Sequence, residues 1–123
     1  METYEQELAS KLAEAKRTRD YKINKGIEEV KELFSGILAE KLERALANGD
    51  DKITIGRYDT DNLSIMAIKQ LLKLAVMEQP EQASGSKYIP SVFRPYLDTF
   101  KVHKHRDRIT GTLYFSFEFI IKG

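Results

Sequence analysis

The chain has 123 residues, of which 41% are hydrophobic and 32% are charged, and it contains no cysteine. A chain of this length can bury the core of one domain, whereas two domains would each be too small for a good core. The lack of cysteine excludes disulfides, thiolate metal ligands and cysteine nucleophiles.

The net charge of the chain is +1, which is low for a protein that binds many phosphate groups. The charge is unevenly spread, because residues 91–123 carry six Lys and Arg against three Asp and Glu. The N-terminus is acidic and polar, unlike a signal peptide. The longest mostly apolar run, Leu63 to Val76, is broken by Lys69 and Lys73. We therefore expect a cytoplasmic protein without a membrane span.

The first segment, Glu2 to Arg17, consists of helix-forming residues with a narrow apolar stripe at Tyr4, Leu8, Leu12 and Ala15. Residues 16–22 are polar and show no clear stripe. They form either a hinge or one exposed turn of a continuous helix. We therefore divide the chain into an N-terminal helical arm, residues 1–21, and a single α+β domain, residues 22–123.

Apolar periodicity resumes at residue 23 and predicts a helix over residues 23–47, ended by Asn48-Gly49. Alternation over residues 52–58 predicts a short strand. A broad apolar arc predicts a second helix over residues 62–78, which Pro80 ends. Residues 79–87 read as a loop. Residues 88–97, with Pro90 and Pro95, should be irregular or hold one turn of helix that begins at a proline.

The C-terminal part of the chain predicts a β-hairpin with one apolar face. Its inward residues alternate with polar ones along both strands: Phe100, Val102, Leu113, Phe115, Phe117 and Phe119. A four-residue loop, Arg108 to Gly111, pairs Lys101 with Glu118, so opposite charges meet on the outer face. A loop of six residues keeps the same inward face but loses this charge pair.

These elements predict an α+β fold of order α-α-β-α-β-β, with two long helices packed on a three-stranded antiparallel sheet. The order from the second helix onward also resembles that of a winged helix–turn–helix. A winged helix would place its recognition helix at Tyr88 to Asp98. Pro90 and Pro95 oppose a helix there, because a proline inside a helix costs about 3 kcal/mol.

No pattern of residues points to catalysis or to a cofactor. The seven glycines are scattered, and the chain has only two histidines, His103 and His105, whereas a metal site needs three or four ligands. On a strand these histidines share the outer face, where unliganded side chains are common. We expect no enzyme activity, no bound metal and no cofactor.

The leading hypothesis is a non-enzymatic accessory protein that binds proteins, and its small size suggests a bacterial or phage origin. It would form a homodimer through the N-terminal helix, dock on a protein partner, or do both. Aromatic and Arg side chains on irregular backbone are favoured interface anchors. On that basis we select Tyr88, Phe93, Arg94 and Tyr96. The same residues would also serve as a lid over the core.

The alternative hypothesis is a nucleic-acid-binding module that uses the most basic part of the chain. A β-ribbon with a basic tip can lie along phosphates. The residues that would do so are Lys101, Lys104, Arg106 and Arg108, which we expect on the outer face and the tip of the hairpin. The same charges would also suit a solvated hairpin, since lysines on exposed strands deter edge-to-edge pairing.

Overall fold

A computed structural model describes residues 3–123. The chain forms two α-helices and one four-stranded antiparallel sheet, which confirms the α+β fold class. The helices are α1 (Tyr4–Asn48) and α2 (Ile65–Ala75). The strands are β1 (Lys52–Asp59), β2 (Glu81–Gln82), β3 (Leu97–Arg106) and β4 (Leu113–Ile121). Short 3-10 turns occupy Ala83–Gly85 and Arg94–Tyr96.

The first two predicted helices are one continuous helix of 45 residues, α1, so there is no hinge at residues 16–22. Thr3 starts it with a capping box: the backbone N–H of Gln6 donates to Thr3 Oγ1, and the backbone N–H of Thr3 donates to Gln6 Oε1. Gly49 ends it in the left-handed conformation, at φ 73°. The predicted arm also included residues 1–2, which lie outside the described residues.

The strand order in the sheet is β1-β4-β3-β2. The register of the hairpin is the predicted one, with Lys101 opposite Glu118 and Phe100 opposite Phe119. The turn is closed by Asp107, whose backbone N–H donates to the carbonyl oxygen of Thr112 at 2.9 Å and whose carbonyl oxygen accepts from the N–H of Gly111. The four residues 108–111 therefore form the loop that the charge pairing favoured.

The prediction of three strands was wrong by one, since β2 adds two residues to the free edge of β3. Glu81 pairs with Phe100, and Gln82 pairs with Thr99. A strand of two residues beside Pro80 shows no alternation, so its sequence resembles a loop. The second helix is also shorter than predicted: its N-cap is Ser64, and it ends at Ala75.

Both helices pack on the phenylalanine-rich face of the sheet. The Phe34 ring of α1 meets three sheet rings edge-on, at centroid distances of 5.2–5.5 Å, and these rings belong to Phe100, Phe117 and Phe119. This edge-to-face geometry is favourable for aromatic pairs. Helix α2 lies against α1 at Gly26, which is buried close to the backbone of Met66.

The segment that a winged helix would use for its recognition helix forms no α-helix. Residues 88–96 hold turns and the 3-10 turn Arg94–Tyr96, and β3 begins at Leu97. The expectation of irregular backbone or one short helical turn is confirmed, except that the turn begins at Arg94, one residue before Pro95. Residues 88–98 therefore do not provide the recognition helix that a winged helix–turn–helix requires.

Candidate binding surfaces

The N-terminal half of α1 projects from the rest of the protein. Every residue from Thr3 to Lys25 is exposed, and the first buried residues of the helix are Gly26 and Ile27. We call residues 4–25 the arm and residues 26–123 the body. At about 1.5 Å per residue, the 22 residues of the arm span about 33 Å. The arm therefore ends at Lys25, which is four residues beyond the predicted boundary at residue 21.

The apolar stripe of the arm lies in solvent. Tyr4 is 73% exposed, Leu8 47% and Leu12 52%. The stripe reaches the body at Ile23, which is itself 44% exposed. A row of apolar side chains on a projecting helix is the arrangement by which a helix pairs with another helix or enters a groove.

The four residues predicted to bind a partner do not form one exposed surface. Tyr88 is buried, and its hydroxyl donates to Gln70 Oε1 at 2.8 Å. Phe93 is half-buried and packs against the core. Arg94 Nε donates to the carbonyl oxygen of Ile89 at 3.0 Å, whereas Tyr96 is 48% exposed. The segment resembles the lid that we weighed against an interface, and its role in partner binding stays a prediction.

The burial of Tyr88 also affects its ionisation. Desolvation of the hydroxyl raises the pKa of Tyr88, and the nearby carboxylate of Glu81 adds to the effect. The phenol is therefore held as a neutral hydrogen-bond donor to Gln70. This pair is a structural link between α2 and the segment that follows β2.

The basic residues predicted to bind nucleic acid are separated by the pleat of the sheet. Lys101 lies on the outer face opposite Glu118. Lys104 and Arg106 lie on the other face, since they pair with the inward-facing Phe115 and Leu113. The expectation that all of these residues share the outer face and the tip was wrong for Lys104 and Arg106.

The hairpin tip contains the fourth basic residue, Arg108, within the loop. Arg106 Nη1 donates to the carbonyl oxygen of Gly111 at 2.9 Å, so its charge is held at the base of the loop. Lys101 thus lies on one face of the sheet and Lys104 and Arg106 on the other, so the basic residues do not follow one line of phosphates. The nucleic-acid hypothesis stays a prediction, and the geometry of the hairpin adds no support to it.

The face of the sheet away from the helices has an ordered row of side chains that the sequence analysis missed. The Arg57 guanidinium lies 4.1 Å from the centre of the Tyr114 ring. The ring of His105 stacks beside Tyr114 at 5.0 Å, and His105 Nε2 lies 2.8 Å from Ser116 Oγ. A bulge between Ile55 and Tyr58 puts Arg57 on this face. Gly56, inside a strand pattern, was the available signal for that bulge.

The charges of this outer face are paired with one another. Arg57 contacts Asp59 at 2.9 Å and Asp107 at 3.5 Å, and Lys52 lies 3.6 Å from Glu118. The hydrogen bond to Asp59 is the main cause that raises the pKa of Arg57. Because Arg57 and Lys52 each have an acidic neighbour, these two cations leave little net charge here with which to attract an anion.

Asp107 connects the outer face to the hairpin turn. Its carboxylate accepts the backbone N–H groups of Thr110 and Ile109 and lies beside Arg57. These contacts, with the bond from Thr110 the largest, lower the pKa of Asp107. Asp107 therefore stabilises the loop when its carboxylate is charged, which is a structural role.

Comparison with known protein families, with curated proteins and with solved structures finds no match to this chain. Within residues 3–123, no helix combines the length and the hydrophobicity that a membrane span requires.

Proposed function

We propose that this protein is a non-enzymatic, protein-binding accessory protein that acts by pairing its arm with the arm of a second copy. One observation carries the proposal: the 22 residues of the arm continue a helix anchored in the body, yet none of them is buried. The stripe of Tyr4, Leu8 and Leu12 is exposed along its whole length.

The continuity of α1 explains how the arm forms a helix without packing. Starting a helix is costly, because several residues must be fixed before the first hydrogen bond is made. The body supplies this nucleus from Gly26 onward, and the capping box at the other end gives partners to the backbone N–H groups of Thr3 and Gln6. The arm is thus presented as a pre-formed helix, which lowers the entropy cost of binding.

The exposed stripe supplies the driving force for association. Covering apolar surface stabilises a complex by about 25 cal/mol per Å². Packing, rather than intrinsic propensity, provides most of the stability of helices in proteins. A second copy of the chain is the partner we propose, since symmetric homo-oligomers are the commonest soluble assemblies.

The test measures the mass of the intact protein in solution. We expect light scattering after size exclusion to give twice the 14.2 kDa of one chain, with dissociation on dilution. Leu8→Gln with Leu12→Gln should give a monomer, because Gln keeps the helix propensity but removes the apolar contact. Glu14→Gln with Arg17→Gln, off the stripe and neutral in net charge, is the matched control and should stay dimeric.

Two results would contradict the proposal. The wild-type protein would be monomeric at every concentration, or the stripe variant would remain as dimeric as its control. A monomeric protein whose arm binds in the groove of another protein would instead support docking on a protein partner.

A further inference from the structure

We infer that two copies of the arm pair antiparallel, about a two-fold axis between Ala13 and Glu14. This inference rests on the self-association proposed above and adds its orientation. It is carried by the spacing of the exposed stripe and by the position of one arginine within it.

The stripe of the arm is symmetric along the helix. One face carries Tyr4, Leu8, Leu12, Ala15, Arg19 and Ile23. The intervals between these residues are four, four, three, four and four, which read the same in both directions. An antiparallel partner therefore meets the stripe in register, with Tyr4 opposite Ile23, Leu8 opposite Arg19, and Leu12 opposite Ala15. Closed two-fold interfaces require such self-complementarity.

Arg19 distinguishes the two orientations. In a parallel pair, Arg19 of each copy would face Arg19 of the other at the seam, and like charges that are partly desolvated repel strongly. In the antiparallel pair, Arg19 lies over Leu8 of the second copy. Its aliphatic stem can cover that leucine while its guanidinium reaches outward.

The antiparallel pair also gives Arg19 an acidic neighbour. Glu5 of the second copy lies three residues along from the position opposite Arg19, which is about 4.5 Å along the helix axis. In the parallel pair the two residues are fourteen positions apart, or about 21 Å.

The charge of the whole arm favours the same orientation. Residues 4–13 contain two Glu and one Lys, whereas residues 14–25 contain five Lys or Arg and two acidic residues. Antiparallel pairing places the acidic half of each arm beside the basic half of the other. Parallel pairing would place the two basic halves together.

A charge exchange tests the contact between Glu5 and Arg19. Glu5→Lys and Arg19→Glu should each weaken the dimer, by about tenfold in Kd, because the contact occurs twice per dimer. The double variant should recover most of the wild-type affinity. A double variant no tighter than the singles would overturn this contact and the register that contains it.

Cross-linking tests the orientation directly, since the chain has no cysteine of its own. We would make Tyr4→Cys and Ile23→Cys in the full chain and treat each alone, and both mixed, with a short bismaleimide. In an antiparallel dimer the two like cysteines are about 28 Å apart. Only the mixture should therefore cross-link. Arg17→Cys, on the opposite side of the arm, is the matched control and should cross-link with neither.

The outcomes of these experiments distinguish the antiparallel orientation of the arms from self-association itself. Cross-linking of each single variant with itself would overturn the antiparallel orientation and leave self-association standing. A monomeric mass without cross-links would overturn both. A dimer that no combination cross-links would overturn the proposed antiparallel register, and the mass of the variant Leu8→Gln with Leu12→Gln would then show whether the arm forms the interface.

Discussion

A matched pair of glycine substitutions in α1 tests how closely the two helices pack. Gly26 is buried against α2, and a Cβ built there would lie 2.6 Å from the carbonyl oxygen of Met66 and 2.9 Å from its carbonyl carbon. Gly36 lies ten residues further along the same helix, and a Cβ there meets nothing within 4 Å. The same change, Gly to Ala, thus enters two different environments.

The expected change in unfolding free energy has two parts, one from helix propensity and one from packing. Gly36→Ala should stabilise the protein by up to about 1 kcal/mol, since Ala is the better helix former. Gly26→Ala gains the same amount but forces α2 away from α1. The two nearest atoms in its way belong to the backbone of Met66 and cannot rotate aside, and overpacking of this kind costs about 1–3 kcal/mol. The two variants should therefore differ by about 1–3 kcal/mol, because the propensity gain cancels in the comparison.

Urea denaturation at equal protein concentrations measures this difference. With a slope of about 2 kcal/mol per molar urea, a difference of about 2 kcal/mol separates the two midpoints by about 1 M. The slopes should agree, since neither change alters the surface exposed on unfolding. If Gly26→Ala stabilises the protein as much as Gly36→Ala does, the close approach of Met66 to α1 is refuted.

Three further predictions concern the body. Phe117→Ala should lower the unfolding free energy by about 3–5 kcal/mol in urea, because its ring is fully buried; a loss below about 1 kcal/mol would contradict that packing. The raised pKa of Tyr88 means that the unfolded chain ionises first, so stability should fall as pH rises above about 10, less steeply in Tyr88→Phe. The lowered pKa of Asp107 contributes stability above about pH 4 that is lost as pH falls. Thermal melts should therefore show a weaker acid dependence in Asp107→Asn, and an unchanged one would contradict the role of its carboxylate.

The hairpin was predictable because two independent patterns select the same register. The alternation of phenylalanines fixes which side chains face the core, and the pair Lys101–Glu118 selects one loop length among those of the same parity. Strand β2 was not predictable, since two residues cannot show a period. Its pairing with Phe100 and Thr99 depends on the exposed edge that β3 offers, which is a tertiary property.

The candidate sites were harder to predict than the fold, because they too depend on tertiary contacts. Composition identified the basic residues of the hairpin, but Lys104 and Arg106 share the parity of Phe100 and Val102 and therefore leave the outer face. Tyr88 was selected as an aromatic residue on irregular backbone, yet Gln70, eighteen residues away on α2, offers its hydroxyl a buried partner. Contacts across such separations leave no local trace in the sequence.

Residues 16–22 show why the arm and the body can be one helix with two roles. The polar run lacks an apolar stripe, which suggested a hinge, but a stripe is required only where a helix packs. The body fixes the next turn at Gly26 and Ile27, so this run extends an existing helix and needs no nucleus of its own. Residues 16–22 are exposed, and the stripe of Tyr4, Leu8 and Leu12 lies beyond them on the same helix. The break in the apolar pattern therefore precedes the point, at Gly26, where the buried face of α1 begins, and it leaves the arm exposed.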